Sequence, residues 1–222
     1  MKGLFVTGTD TGCGKTRVSA ALIEALRQQG RRVAPFKPIA AGAEWDDGQW
    51  RNDDALTLIE AAGGDWCYPE VNPYCFEAPV SPHLASVDEG VAVELSKILR
   101  AGEQLAAQAD GVIAEGAGGW LVPLAADLDI ADMALALNLP VVLVVGLRLG
   151  CLNHARLSEL AIEQRGARLV GWIASQVDPD MQRVEENLQT LRERLSSPCL
   201  GILPWQAEPR LDVERLLALS KM

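Results

Sequence analysis

The sequence predicts a three-layer α/β fold built on a mainly parallel, doubly wound sheet, and three observations carry that prediction. Short apolar runs recur at residues 3–8, 32–38, 111–116, 140–146, 169–175 and 200–204, with helix-like stretches among them. The runs lack polar alternation, as expected of strands covered on both faces. A glycine-rich loop joins the first run to an amphipathic segment, the setting in which a helix N-terminus faces an anion. Strands alternating with helices at this spacing need crossover connections and therefore pair in parallel. Ligands then gather at the carboxyl ends of the strands.

Taken in order, residues 16–30 place Val18, Leu22, Ala25 and Leu26 on one helical face and stop at Gly30. In RNDDALTLIEAAG, Asn52 or Asp53 is the expected N-cap, with Asp54 in the first helical turn. Residues 63–92 carry Pro69, Pro73, Pro79 and Pro82, which predicts ordered loop and irregular edge structure. NHARLSELAIEQRG, residues 153–166, predicts a helix starting near Asn153, and LDVERLLALSKM a plain C-terminal helix. With no repeat and no linker composition, residues 1–222 are expected to form one domain.

Hydrophobic residues make up 49% and charged residues 23%, a globular composition. A net charge of -10 argues against a general nucleic-acid binder, because phosphate neutralisation needs clustered cations. No run is long enough to span a bilayer, and the N-terminus does not read as a signal peptide. Five scattered cysteines without CxxC spacing, and only His83 and His154, make a zinc site a poor expectation and the cytoplasm the natural compartment.

The strongest chemical signal is GTDTGCGKT, Gly8 to Thr16. Its glycines let the backbone curl around phosphate, Lys15 would reach β- and γ-phosphate oxygens, and the Thr16 hydroxyl would ligate Mg²⁺. Five residues separate Gly8 from Gly14, one more than the standard GxxxxGK[ST] spacing. A Mg²⁺-nucleotide site also needs a carboxylate from a neighbouring strand end. Glu115 in GVIAEGAGG suits that role, with glycines at 116, 118 and 119 permitting close approach of a ligand. Asp54 is either a second metal ligand or a dipole partner of its own helix. Lys37, ending the second run, either faces the phosphate crevice or snorkels to water. GLRLGCLNHA is a candidate second anion-binding turn at Gly150 and Cys151. Lys15 and Lys37 are both expected at a solvent-accessible site.

Together, FVTGTDTGCGKT, FKPIAAG, RNDDAL, NPYCFEAPVSPH, EGAGGWLVPL, PVVLVVGLRLGCLNHA and GILPW resemble dethiobiotin synthetases, in the same order and at similar spacing over nearly the whole chain. The resemblance implies a P-loop NTPase-like fold and a homodimer with a shared active site, using 7,8-diaminononanoate, CO2 (or bicarbonate) and Mg-ATP, with ATP as co-substrate. It implies Lys15 and Lys37 as catalytic groups and Thr16, Asp54 and Glu115 as Mg²⁺ ligands. The nucleotide would also meet Thr11, Gly12, Cys13, Gly14, Gly116, Ala117, Gly118, Ser175, Gln176, Pro204, Trp205 and Gln206. The diamine would meet Thr11, Lys37, Ala41 and Gly118, with its carboxylate held by Gly150, Cys151, Leu152 and Asn153 of the partner subunit.

Two departures stand out. Ala41 occupies a place where the family often has serine, and Ser175–Gln176 one where it often has Asn-Asp to read adenine. The rival reading is a nucleotide-switched ATPase of the partitioning or septum-site type. Such proteins usually open their phosphate loop with a further lysine, where this loop has Gly8, Thr9 and Asp10. An amide-forming ligase of the same superfamily is a second, weaker rival.

Overall fold

The computed structural model describes residues 1–46 and 48–222. In chain order the elements are β1 (Gly3–Gly8), α1 (Lys15–Gln28), β2 (Val33–Phe36), β3 (Ile39–Ala41), β4 (Glu44–Asp46), β5 (Gln49–Arg51), α2 (Asp53–Ala62), α3 (Tyr68–Val71), β6 (Tyr74–Phe76), α4 (Pro82–Asp88) and α5 (Leu95–Ala106). They continue with β7 (Gly111–Gly119), β8 (Pro123–Ala125), β9 (Leu128–Asp129), α6 (Ile130–Leu137), β10 (Val141–Leu147), α7 (Cys151–Gln164), β11 (Leu169–Gln176), α8 (Val184–Arg194), β12 (Cys199–Leu203), β13 (Arg210–Leu211) and α9 (Val213–Ser220).

The main sheet runs β13-β12-β11-β10-β1-β7-β2. All its neighbours pair in parallel except β13, which is antiparallel to β12 at one edge. The six apolar runs are its six parallel strands. Side chains alternate across the sheet, so Leu4 and Val6 enter one core while Phe5 enters the other. The first core joins Val18, Leu22 and Leu26 of α1, Leu58 of α2 and Leu216 of α9. The second joins Ile98 of α5, Met133 of α6, Ile162 of α7 and Leu188 of α8. Helices therefore cover both faces, which is why β1 and β10 are buried along their whole length.

The chain departs from sequence expectation in three places. Residues 63–92 hold α3, β6 and α4; β6 pairs in parallel with β3 in a small separate sheet, not at an edge of the main one. Pro69 and Pro82 sit in the first turns of their helices, where a missing N–H costs nothing. The helix expected near Asn153 begins at Cys151, with Gly150 as its N-cap at φ 96°. The third departure is Lys37, which follows β2 and is not part of it. Its backbone N–H is bound by Val71 O at 2.9 Å.

Candidate active site

The loop between β1 and α1 is shaped by Gly12 (φ 70°) and Gly14 (φ 88°), in the left-handed region that favours glycine. Gly14 is the N-cap of α1, so the loop delivers its backbone to the positive end of a helix. A Cβ at Gly14 would collide with the Ser175 hydroxyl, which fixes the loop against the end of β11. Lys15 folds back along the loop, its ammonium donating to Asp10 O at 3.0 Å.

Three further elements converge on this loop. Glu115, fully buried in β7, accepts the Thr16 hydroxyl at 2.9 Å and the Lys37 ammonium at 2.6 Å, both on Oε1. Asp54 lies in the first turn of α2, whose cap is Asn52: the Asn52 side chain accepts Asp54 N–H at 3.1 Å. The Lys37 ammonium reaches Asp54 Oδ2 at 2.7 Å and so joins the two carboxylates. Lys15 and Lys37 were expected at a solvent-accessible site; both line the cleft over this loop, although the residues themselves are only 7% and 2% exposed. For Lys37 the carboxylate pair makes burial of the cation tolerable, whereas Lys15 is folded along the loop onto Asp10 O. Burial by itself would lower the Lys37 pKa, but Glu115 and Asp54 outweigh it and hold the ammonium above its ordinary range. Burial pushes Asp54 up and Lys37 pulls it further down, leaving the carboxylate below its usual range.

A cleft of about 730 Å³ opens over these groups. It is lined by Thr11, Gly12, Gly14, Lys15, Thr16, Lys37, Ala41, Asp54, Ala117 and Gly118 from the sequence expectation. Pro79, Val80, Ser81 and Pro82 line its other wall and were not singled out as site residues. Only their place in NPYCFEAPVSPH could have flagged them. Ser81 brings a hydroxyl to the cleft that Ala41 also lines, and its Oγ lies 3.0 Å from His83 Nδ1. A slightly larger, more open depression of about 760 Å³ lies at the C-terminal ends of α1 and α2. Two of its arginines are engaged, Arg27 with Ala61 O and Arg32 over the Trp66 ring, and no phosphate-loop residue reaches it.

The remaining expected residues lie apart from this cleft. Cys13 is buried behind the loop, and Gly116 O lies 3.4 Å from the Lys37 ammonium. Gln176 ends β11 and accepts Trp205 N–H at 3.2 Å through its side chain. Arg17 of α1 donates to the carbonyls of Gln176 and Pro204, tying this outer loop to the phosphate-loop helix. Gln206 is exposed. Leu152 and Asn153 line a different depression, with Leu157 and Leu160 of α7 and Thr190, Leu191 and Arg194 of α8, and Cys151 is buried in the core. Arg148, just ahead of Gly150, ion-pairs with Asp10 of the phosphate loop.

A family model described as "AAA domain" matches residues 2–210. The ATP-dependent dethiobiotin synthetase of Xanthomonas oryzae pv. oryzae is 52% identical over 204 residues, covering 92% of this chain and 91% of that protein. That of Aromatoleum aromaticum is 51% identical over 200 residues, covering 90% and 89%. The chain belongs to the dethiobiotin synthetase family. Family membership makes it an ATP-dependent enzyme with ATP as a co-substrate. Among solved structures, the signal recognition particle receptor FtsY of Elizabethkingia anophelis superposes with a TM-score of 0.56 at 14% identity, covering 98% of this chain and 64% of that one. The MinC:MinD complex of Aquifex aeolicus gives 0.55 at 16%, covering 92% and 81%. At such identities these likenesses describe the P-loop NTPase-like fold alone, so the septum-type reading gains nothing from them.

Proposed function

We propose that this chain is an ATP-dependent dethiobiotin synthetase, a cyclo-ligase closing the ureido ring of dethiobiotin from 7,8-diaminononanoate and CO2 with release of ADP and phosphate. The observation that carries the reading is the Lys37 ammonium held between Asp54 and Glu115 at the floor of the phosphate-loop cleft.

One amine would capture CO2 as a carbamate, losing a proton. A carbamate oxygen would then take the γ-phosphoryl, giving a carbamic-phosphoric anhydride and ADP. The second amine would attack the activated carbon and release phosphate. Such chemistry asks the protein for position and charge, not for a covalent partner. Lys15 and Lys37 would stabilise the phosphoryl and carbamate oxygens as charge moves onto them. Thr11, Ala41 and Gly118 would border the diamine, Gly12 to Gly14 and Gly116 to Gly118 the phosphates, and Gln176 with Pro204 to Gln206 the nucleoside.

The residues present fit Mg²⁺. Thr16, Asp54 and Glu115 offer the hard oxygens that cation prefers, and Glu115 Oε2 is buried with no hydrogen-bond partner. Among the described residues no cluster of three or more His, Cys, Asp and Glu side chains could hold a metal by itself. Phosphate oxygens and water would therefore complete the shell. When bound, the metal would neutralise charge on the β- and γ-phosphates.

The active unit in this reading is one domain of residues 1–222 acting as a homodimer in the cytoplasm. Gly150, Cys151, Leu152 and Asn153 of each subunit would hold the substrate carboxylate of the other. In support, these residues do not line their own cleft. Leu152 and Asn153 share a depression with exposed Leu157 and Leu160, and Leu149 just ahead of the turn is exposed. The Cys151 side chain is buried and would offer only its backbone. Among the described residues no helix is long and apolar enough to cross a membrane. The test is phosphate release with Mg²⁺ and bicarbonate, with and without 7,8-diaminononanoate, across ATP, GTP, CTP and UTP. Diamine-dependent release is the expected result; diamine-independent release would return the switch ATPase.

A further inference from the structure

We infer that Tyr68 and Asn72 are positioning residues that set the spacing between Lys37 and Asp54. The inference rests on the functional reading above, in which those two groups serve the transferred phosphoryl and its metal.

Lys37 lies just beyond β2 and Asp54 in α2, and their contact through a long, flexible lysine side chain does not fix their backbones. A chain of hydrogen bonds, buried at Asn72 and half-buried at Tyr68, does. The Asn72 amide donates to Lys37 O at 2.7 Å and to Tyr74 O at 3.0 Å. Its Oδ1 accepts the Tyr68 hydroxyl proton at 3.0 Å. The same hydroxyl accepts Asn52 N–H at 2.7 Å, and Asn52 caps the helix turn that carries Asp54. The circuit closes where the Lys37 ammonium meets Asp54. With Val71 O holding Lys37 N–H, both backbone polar groups of Lys37 are gripped by residues 71 and 72.

Asn72 and Asn52 are 3% and 6% exposed, so water does not readily replace a missing partner. Arg51 lies over the Tyr68 ring, 5.8 Å from its centre, and Cys75 Sγ is 3.5 Å from the hydroxyl. Burial leads in holding the tyrosine proton on, with a pKa well above the ordinary phenol range. The hydroxyl thus remains a donor to Asn72 while accepting from Asn52. Without it, Asn52 N–H and Asn72 Oδ1 face each other with nothing between, and the α2 cap is free to shift relative to Lys37. Misplacement of about 1 Å at a reacting centre costs on the order of 100-fold in rate.

The test compares Tyr68→Phe, which removes one oxygen, and Asn72→Ser, which removes the link to Lys37 O, each assayed well below its melting temperature. Steady-state kinetics are read beside calorimetric Mg²⁺ affinity in the complex with a non-hydrolysable ATP analogue. The expected result is kcat lower by about 10- to 100-fold with the diamine KM within about twofold, and Mg²⁺ affinity weaker by about tenfold. Analogue affinity without metal is expected to match the parent, and excess Mg²⁺ to recover part of the lost rate. A kcat within about twofold of the parent in the folded variants would overturn the inference, as would unchanged Mg²⁺ affinity, which marks a merely structural role. Lys37→Ala and Asp54→Ala are run beside them. Near-normal turnover in those two removes the functional reading itself, a different outcome from the failure of Tyr68 and Asn72 alone.

Discussion

The two ends of the proposed nucleotide site are built by different means. At the phosphate end, Thr16, Lys37, Asp54 and Glu115 bind one another through side chains, Glu115 and Lys37 are almost wholly buried, and α2 is capped to hold its acid in place. At the proposed nucleoside end, Trp205 is 42% exposed, Gln206 is exposed, and the loop is held by Arg17 on the carbonyls of Gln176 and Pro204 and by the Gln176 side chain on Trp205 N–H. Preorganised charge is worth most where charge moves in the transition state. In the proposed reading, a loosely held base contact would serve affinity and little else.

Substitutions can break or sharpen that contrast. The largest effect is expected at Lys37: Lys37→Ala lowers kcat by about 100- to 1000-fold while a fluorescent nucleotide still binds within about threefold of the parent. A collapse of nucleotide binding instead would merge the two ends into one unit. Gly14→Ala, where a Cβ meets Ser175 at φ 88°, is expected to cost about 1–3 kcal/mol of stability by thermal unfolding and about tenfold or more in nucleotide affinity. Asn153→Ala is expected to raise the diamine KM by about tenfold, the worth of one hydrogen bond to a charged group, with the ATP KM unmoved. A change in the ATP KM alone would remove the carboxylate assignment. Gln176→Ala is the smallest kinetic change, about two- to fivefold in the ATP KM with kcat intact.

The pH dependence of stability probes the ion pair directly. Asp54 has its pKa lowered on folding from 3.8, so its contribution is complete above that value and is lost as pH falls through the folded value. Lys37 has its pKa raised from 10.5, so its contribution is complete below that value and is lost as pH rises through the folded one. The pair is therefore silent between about pH 5 and 9. Denaturant midpoints for Asp54→Asn are expected to show a shallower acid limb than the parent. Solvent screening of the 45% exposed Asp54 side chain keeps the difference modest.

Residues of the phosphate loop and the six parallel strands were legible in the sequence because their signals are local. A run such as PVVLVVG can satisfy its side chains only when covered on both faces, and GTDTGCGKT needs no distant partner to read as a phosphate turn. The β4–β5 pair and the β3–β6 sheet were not legible, because strands of three residues carry too little periodicity. Position alone left Lys37 balanced between ligand and surface residue. Its burial depends on Glu115, 78 residues away in sequence, and on a capped Asp54. Tyr68 and Asn72 were hidden for the same reason, since ordinary residues in a proline-rich stretch gain meaning only from the backbone groups they reach.

The packing around Cys13 constrains the mutational routes open to this loop. A Cβ at Gly8 would strike Cys13 Sγ, a side-chain clash, with Lys15 Cγ the next atom at 3.0 Å. A Cβ at Gly146 of β10 would come within 2.9 Å of Cys13 Cα, a backbone clash that no smaller residue at position 13 relieves. Drift at position 8 is thus conditional, requiring both a smaller residue at position 13 and a shift of the Lys15 stem, 3.0–3.1 Å away. Position 146 stays closed in every background that keeps this loop, because what a side chain there would meet is the loop's own backbone.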